Sequence, residues 1–122
     1  RLRVPTDCHE LADVVAREHG NIHLSENLAA AATVRLLERC DANRKPARFT
    51  QVLQACECDA RGRLGFEESA YPQAARLQRA LDAALQVRTD TVAADAAERG
   101  LKGPQIGEAV HAARVGAVAA LG

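Results

Sequence analysis

Three side chains in this chain have the types needed for metal or acid–base chemistry: Asp59, His19 and His23. Histidines and a carboxylate brought together from different helices can hold a transition metal. Asp59 and His19 are the candidate ligands, and His23 stands in the segment that follows His19. The competing reading pairs Asp59 with a nearby arginine and leaves both histidines as ordinary polar residues at a helix end. A second constellation, Arg61-Gly62-Arg63, could fork guanidinium groups onto phosphates, with Arg35, Arg39, Arg44, Lys45 and Arg48 as possible neighbours. Against it, Glu57 and Arg61 are spaced for a plain i,i+4 ion pair on a solvated face. A third is Lys102-Gly103-Pro104-Gln105, where a helix start offers unpaired N–H groups, Lys102 a full charge and Gly103 room for close approach. Its ordinary alternative is a simple helix start, with Gly107 there for tight packing. His9 and His111 read as surface residues.

Helix signals place these groups. Thr6 can cap a first helix ending at Gly20, and a second runs from Leu28 to about Asp41, broken by Asn43-Arg44-Lys45-Pro46. Pro46 suits the first turn of a third helix that ends at Gly62. Its apolar stripe is Phe49, Val52, Leu53, Cys56 and Ala60, and Asp59 falls roughly 20° from Val52 on the shoulder of that stripe. A carboxylate in that position needs a partner, a metal or a perturbed titration.

After a loop from Arg63 to Tyr71, Pro72 opens a fourth helix with Leu77, Leu81, Ala84 and Leu85 on one face. Thr91 to Arg99 forms a fifth, stopped by Gly100. A sixth begins at Gly103-Pro104 and carries Ile106, Val110, Ala113, Ala117 and Leu121 on one stripe. The expectation is an all-α compact bundle of about six helices, with residues 1–88 as the main body and 89–122, the last two helices, as a tail subdomain.

The composition agrees. Hydrophobic residues make up 48% of 122, yet Phe49, Phe66 and Tyr71 are the only aromatics, so the core must come from closely packed alanine-rich helices. Sixteen basic residues balance sixteen acidic ones, which excludes a protein-wide positive field for nucleic acid and leaves only local binding. Cys56 and Cys58 point about 200° apart on a helix and cannot chelate one ion together. Cys8 and Cys56 read as small core residues, which suits a reducing, cytoplasmic setting. No apolar run approaches the length of a membrane span. The chain holds no methionine and opens abruptly on Arg1, so it reads as part of a longer protein.

Five blocks in order, Arg1-Leu2-Arg3-Val4-Pro5, Cys56 to Arg63, Gly65-Phe66-Glu67, Tyr71-Pro72-Gln73 and Gly100 to Gly107, resemble the C-terminal part of bacterial tRNA nucleotidyltransferases. These are the CCA-adding enzymes, in the multifunctional form with an HD phosphohydrolase domain. The resemblance implies the latter half of the HD domain plus a helical tail, with tRNA as partner. The parent would use magnesium with CTP and ATP, and nickel at the HD site; the fragment itself would hold no cofactor and no catalytic residue. This chain has neither an Asp-x-Asp pair nor a His-Asp dipeptide. By the same resemblance, Asp59 and His19 match metal positions, and Arg61, Arg63, Lys102, Gly103 and Gln105 match tRNA-contacting blocks. Asn43 departs from the family pattern, where a large apolar or aromatic residue is common. The alternatives are a metal-dependent phosphohydrolase segment acting on 2′,3′-cyclic nucleotides, and a helical interaction module with no RNA role.

Overall fold

The computed structural model describes residues 6–62 and 71–121, with side chains from position 9 onward. Among them are six α-helices and no strand: α1 (Thr6–His23), α2 (Ala30–Arg39), α3 (Pro46–Arg61), α4 (Pro72–Leu85), α5 (Thr89–Glu98) and α6 (Gly103–Ala119), with a 3-10 turn at Ser25–Asn27. The all-α expectation is borne out. Helix α1 packs on α3, α4 lies against α2, α3 and α6, and α6 also contacts α2 and α5. Phe49, Val52, Leu53 and Cys56 meet Ile22, Leu36, Leu37, Leu77 and Leu81 in one core, to which α6 adds Val118.

Several boundaries differ from the sequence reading, each for a local reason. Helix α1 does not stop at Gly20 but runs on to His23, because burying Ile22 completely outweighs the modest cost of a helical glycine. Helix α2 starts at Ala30, since Leu28 is extended, and α5 spans Thr89–Glu98. Gly62 caps α3 with right-handed angles (φ −73°), so the left-handed turn that glycine favours is not used there. It is used after α2 and α5. Asp41 (φ 56°) sends its N–H to Glu38 O while Ala42 N–H reaches Leu37 O; Gly100 (φ 85°) repeats the pattern through Ala97 and Ala96. This pair of backward bonds satisfies the last carbonyls of each helix.

Two apolar stripes are also corrected. Leu85 is exposed, and Ala80 takes its place in the core beside Leu77 and Leu81. In α6 Val115 and Val118 reach the core, Ile106, Val110, Ala113 and Ala117 of the expected stripe are half-buried, and Leu121 is exposed. A helix built almost wholly of alanine, valine and glycine carries several overlapping apolar stripes, so spacing alone does not select one.

Ion pairs tie the helices at their ends. Glu18, 3% exposed, accepts hydrogen bonds from Arg39 Nε at 3.1 and 3.3 Å, from Arg39 Nη2 at 3.2 Å and from Asn21 Nδ2 at 2.9 Å. Arg17 donates to the carbonyl of Arg39, and Arg48 to the carbonyl of Cys40, so side chains from α1 and α3 close the exposed end of α2. Burial by itself would raise the Glu18 carboxyl. The hydrogen bonds from Arg39 and Asn21, with the charges of Arg39 and Arg17, outweigh it and hold the group below its ordinary value. A depressed carboxylate stabilises the fold above its unfolded-state value and loses that contribution as pH falls through the folded-state value. Arg39→Gln is therefore expected to lower stability in urea by about 1–3 kcal/mol at pH 7, with the gap to the parent chain narrowing as the pH drops below about 4.

Candidate functional site

The extension of α1 past Gly20 brings both histidines to the C-terminal half of α3. His19 and His23 pack edge to face, with ring centroids 5.8 Å apart, and His23 in turn meets the ring of Tyr71 at 5.7 Å. His23 Nδ1 lies 2.7 Å from the Tyr71 hydroxyl, and His23 Nε2 lies 3.4 Å from Asp59 Oδ2. That second distance is within ion-pair reach but longer than a hydrogen bond. Gln73 fixes the turn by donating to the His23 carbonyl at 2.7 Å. Burial, helped by the negative field of Glu57 and Asp59, pushes the Tyr71 phenol far above its ordinary value. The phenol therefore keeps its proton and shares one hydrogen bond with His23 Nδ1, while Nε2 faces the Asp59 carboxylate. The result is an ordered row of phenol, imidazole and carboxylate.

His19 and Asp59 share a groove of about 530 Å³ between α1 and α3, walled by Leu11, Val15, Ala55 and Cys56. His19 Nδ1 is turned back onto the carbonyls of Val15 and Ala16 at 3.2 and 3.3 Å, where only an N–H can sit, so its Nε2 is the nitrogen not used by the helix. The sequence reading placed Asp59 near the core; its side chain is instead 59% exposed, because this groove opens beside it. The two proposed metal ligands thus line one surface. A bound transition metal needs at least three protein donors, and among the described residues no group of three or more His, Cys, Asp or Glu side chains is placed to hold an ion. The described residues alone do not make the metal site. Cys40 and Cys56 are buried thiols pushed up to about 12 and about 11 by desolvation, so they are inert core residues.

The expected phosphate-binding residues are spread over two places. Arg61 is half-exposed at the end of α3 and pairs with Glu57 at 2.9 Å, the i,i+4 bridge its spacing suggested. Arg63, like Gly65-Phe66-Glu67 and the opening Arg1 to Pro5, lies outside the described residues. The neighbours proposed for it are largely engaged elsewhere: Arg39 with Glu18, Arg44 with Asp41, and both Lys45 and Arg48 with Glu10. Arg35 is exposed and has no acidic partner among the described residues. At the start of α6, Gln105 Oε1 accepts the Lys102 backbone N–H at 2.9 Å, so Gln105 holds the helix start rather than presenting its oxygen outward. Gly103 and Gly107 have open space around them, which rules out tight packing by Gly107 against the described residues. Lys102 is exposed and also has no acidic partner among those residues. His111, read as a surface residue, is largely covered and meets Glu38 at 2.8 Å, pinning α6 to α2.

Fold and groove together define a small all-α domain that presents a histidine–aspartate cluster at one helix junction. Known proteins place it further. The chain is 68% identical over 119 residues, 98% of its length, to the Multifunctional CCA protein of Acidovorax sp. (strain JS42). It is 68% identical over 121 residues to that of Variovorax paradoxus (strain S110), and 62% identical over 120 residues to that of Cupriavidus necator. It spans 28–29% of the length of these relatives and matches their C-terminal part. The resemblance carried by the five sequence blocks is therefore borne out. No protein-family model matches the chain, and no solved structure does. No helix among the described residues is long and apolar enough to cross a membrane.

Tyr71 and Gln73 are the residues of this cluster that spacing arguments passed over. Their signal was present: a lone tyrosine placed directly before a helix-opening proline, within one of the five blocks. Tyr71→Phe is expected to remove the hydrogen-bond partner of His23 Nδ1 and to cost about 1 kcal/mol in stability. Ring nitrogen NMR should then show the His23 Nδ1 resonance shifting as its hydrogen bond to the hydroxyl is lost, with a smaller change at Nε2.

Proposed function

We propose that this chain is the C-terminal, RNA-holding part of a CCA-adding tRNA nucleotidyltransferase. Its role in the longer protein is to grip the tRNA body while groups outside this chain add CCA to the 3′ end with magnesium, CTP and ATP. The observation that supports this reading is identity of 62–69% with Multifunctional CCA proteins along nearly the whole chain. In this reading residues 1–88 are the latter part of an HD-type helical domain and 89–122 the tail. Lys102, with the open backbone at Gly103, contacts phosphate directly; Gln105 shapes that turn; Arg61 exchanges Glu57 for phosphate at a cost of only a few tenths of a kcal/mol; and Arg63 extends the same contact.

Binding of this kind weakens steeply with salt, because each neutralised phosphate releases counterions. The chain is expected to bind tRNA with a salt-dependent affinity. Lys102→Ala should weaken binding and reduce the slope of log affinity against log salt by about 1. The isolated chain should show no CCA addition. Affinity unchanged by Lys102→Ala together with Arg63→Ala would defeat the site assignment.

One observation favours a second activity in the longer protein: Asp59 and His19 line the same groove. There they would serve a phosphohydrolase centre, with nickel as its metal, whose other ligands come from beyond the described residues. In the full-length protein, Asp59→Asn should then abolish hydrolysis of 2′,3′-cyclic nucleotides while leaving CCA addition intact. Loss of both activities would argue for a structural role.

A further inference from the structure

A second pocket, of about 330 Å³, lies between α4 and the C-terminal end of α6 and shares no lining residue with the histidine groove. Pro72, Ala75, Arg76, Arg79 and Ala80 line it, residues spaced three and four apart on one face of α4, and Val118 and Leu121 form the opposite wall. With Thr33 of α2, the walls are a proline ring, small methyl groups, two branched aliphatic chains and one threonine, with two guanidinium groups set among them.

These two arginines lack a counter-charge among the described residues and line one pocket together. Most arginines among the described residues face a carboxylate: Arg17, Arg39, Arg44, Arg48, Arg61, Arg88, Arg99 and Arg114 all do. Arg76 is half-buried, yet its hydrogen bonds run to neutral acceptors alone, the carbonyls of Ser25 and Leu28 and the hydroxyl of Thr33. Those bonds fix the guanidinium in place without cancelling its charge, and a partly desolvated fixed charge projects a strong field into the space beside it. Arg79, one turn on and exposed, has no acidic partner among the described residues. Its nearest acid along the helix, Asp82, is instead taken by Gln78 at 3.2 Å.

We propose that this pocket binds a nucleoside phosphate, with the phosphate on Arg79 in the field of Arg76 and the nucleoside against Pro72, Val118 and Leu121. Two uncompensated guanidiniums match a phosphate monoester, which carries between one and two negative charges near pH 7, better than they match a single carboxylate. The apolar wall requires an organic body on that anion, and the volume lies at the lower end of the range for small-ligand sites. Two sources supply this chemistry, a free mononucleotide and the phosphorylated end of an RNA strand. The proposal stands on the pocket alone and does not depend on tRNA binding through Lys102 or Arg61.

Calorimetric titration of the chain with AMP tests it. AMP should bind, adenosine should not, and inorganic phosphate should bind more weakly than AMP. Arg79→Gln should weaken AMP by about tenfold or more, whereas Arg35→Gln, which removes another exposed guanidinium outside the pocket, should leave it within twofold. Both changes are on the surface, and circular dichroism would verify the fold. A short RNA with a terminal phosphate that displaces AMP, where the same RNA without it does not, identifies the strand end as the source; displacement by neither identifies the free nucleotide. No AMP binding at millimolar concentration, equal binding of adenosine, or equal losses from Arg35→Gln and Arg79→Gln would each overturn the proposal.

Discussion

A single buried carboxylate sets the geometry on which the rest of this molecule depends. Glu18 is nearly inaccessible to solvent, and a charge in that position is tolerated only because Arg39, Asn21 and Arg17 surround it. The same arginines close the end of α2: Arg17 reaches the Arg39 carbonyl while Arg39 reaches Glu18. This clamp locks α1 against α2 at the level of Glu18, and the chain just beyond it has little freedom left. Ile22 falls into the core, and His19 and His23 are carried to the edge of α3. Without the clamp, Gly20 would be a natural place for the helix to end, and the histidines would not meet Asp59.

Much of this architecture was legible from residue spacing, and the failures have identifiable causes. The stripe of α3 was read correctly because Phe49, Val52, Leu53 and Cys56 differ sharply in size and polarity from the residues between them. In α6 no such contrast exists, and the buried face had to be chosen by the partners α2 and α4. Helix ends were misjudged where tertiary burial overrode a local signal, as at Gly20, and where an aspartate took the left-handed turn usually given to glycine, as at Asp41. At the candidate site, spacing could put Asp59 on the shoulder of a helix and His19 at the end of another. It could not supply Tyr71, because that contact joins positions 48 residues apart.

The balance of 16 basic and 16 acidic residues conceals an uneven distribution. Lys45 and Arg48 converge on Glu10, and Arg39 on Glu18, so much of the positive charge is spent within the fold. Hydrogen bonds and the charges of Lys45 and Arg48 hold Glu10 below its ordinary value, as the same forces do Glu18. The cations without acidic partners among the described residues are few, Arg35, Arg76, Arg79 and Lys102, and they sit on different helices. Such a surface has no long-range pull on nucleic acid, yet offers isolated points where one phosphate gains a full charge interaction. Recognition would then follow from the spacing of those points rather than from overall attraction.

Composition also explains why grooves exist at all. Helices rich in alanine approach closely, but their short side chains cannot fill the valleys beside each contact. Both described grooves have that origin: Ala12, Ala16 and Ala55 border the one holding His19 and Asp59, and Ala75 and Ala80 border the one holding Arg76 and Arg79. In each case the polar groups stand at the margin of a shallow apolar trough, where they are partly desolvated but still reachable. Larger residues at the exposed ones, Ala12, Ala16 and Ala75, would add buried area. They would also cover the charged groups, so the low aromatic content of this chain limits its core in the same places where it leaves its candidate sites open.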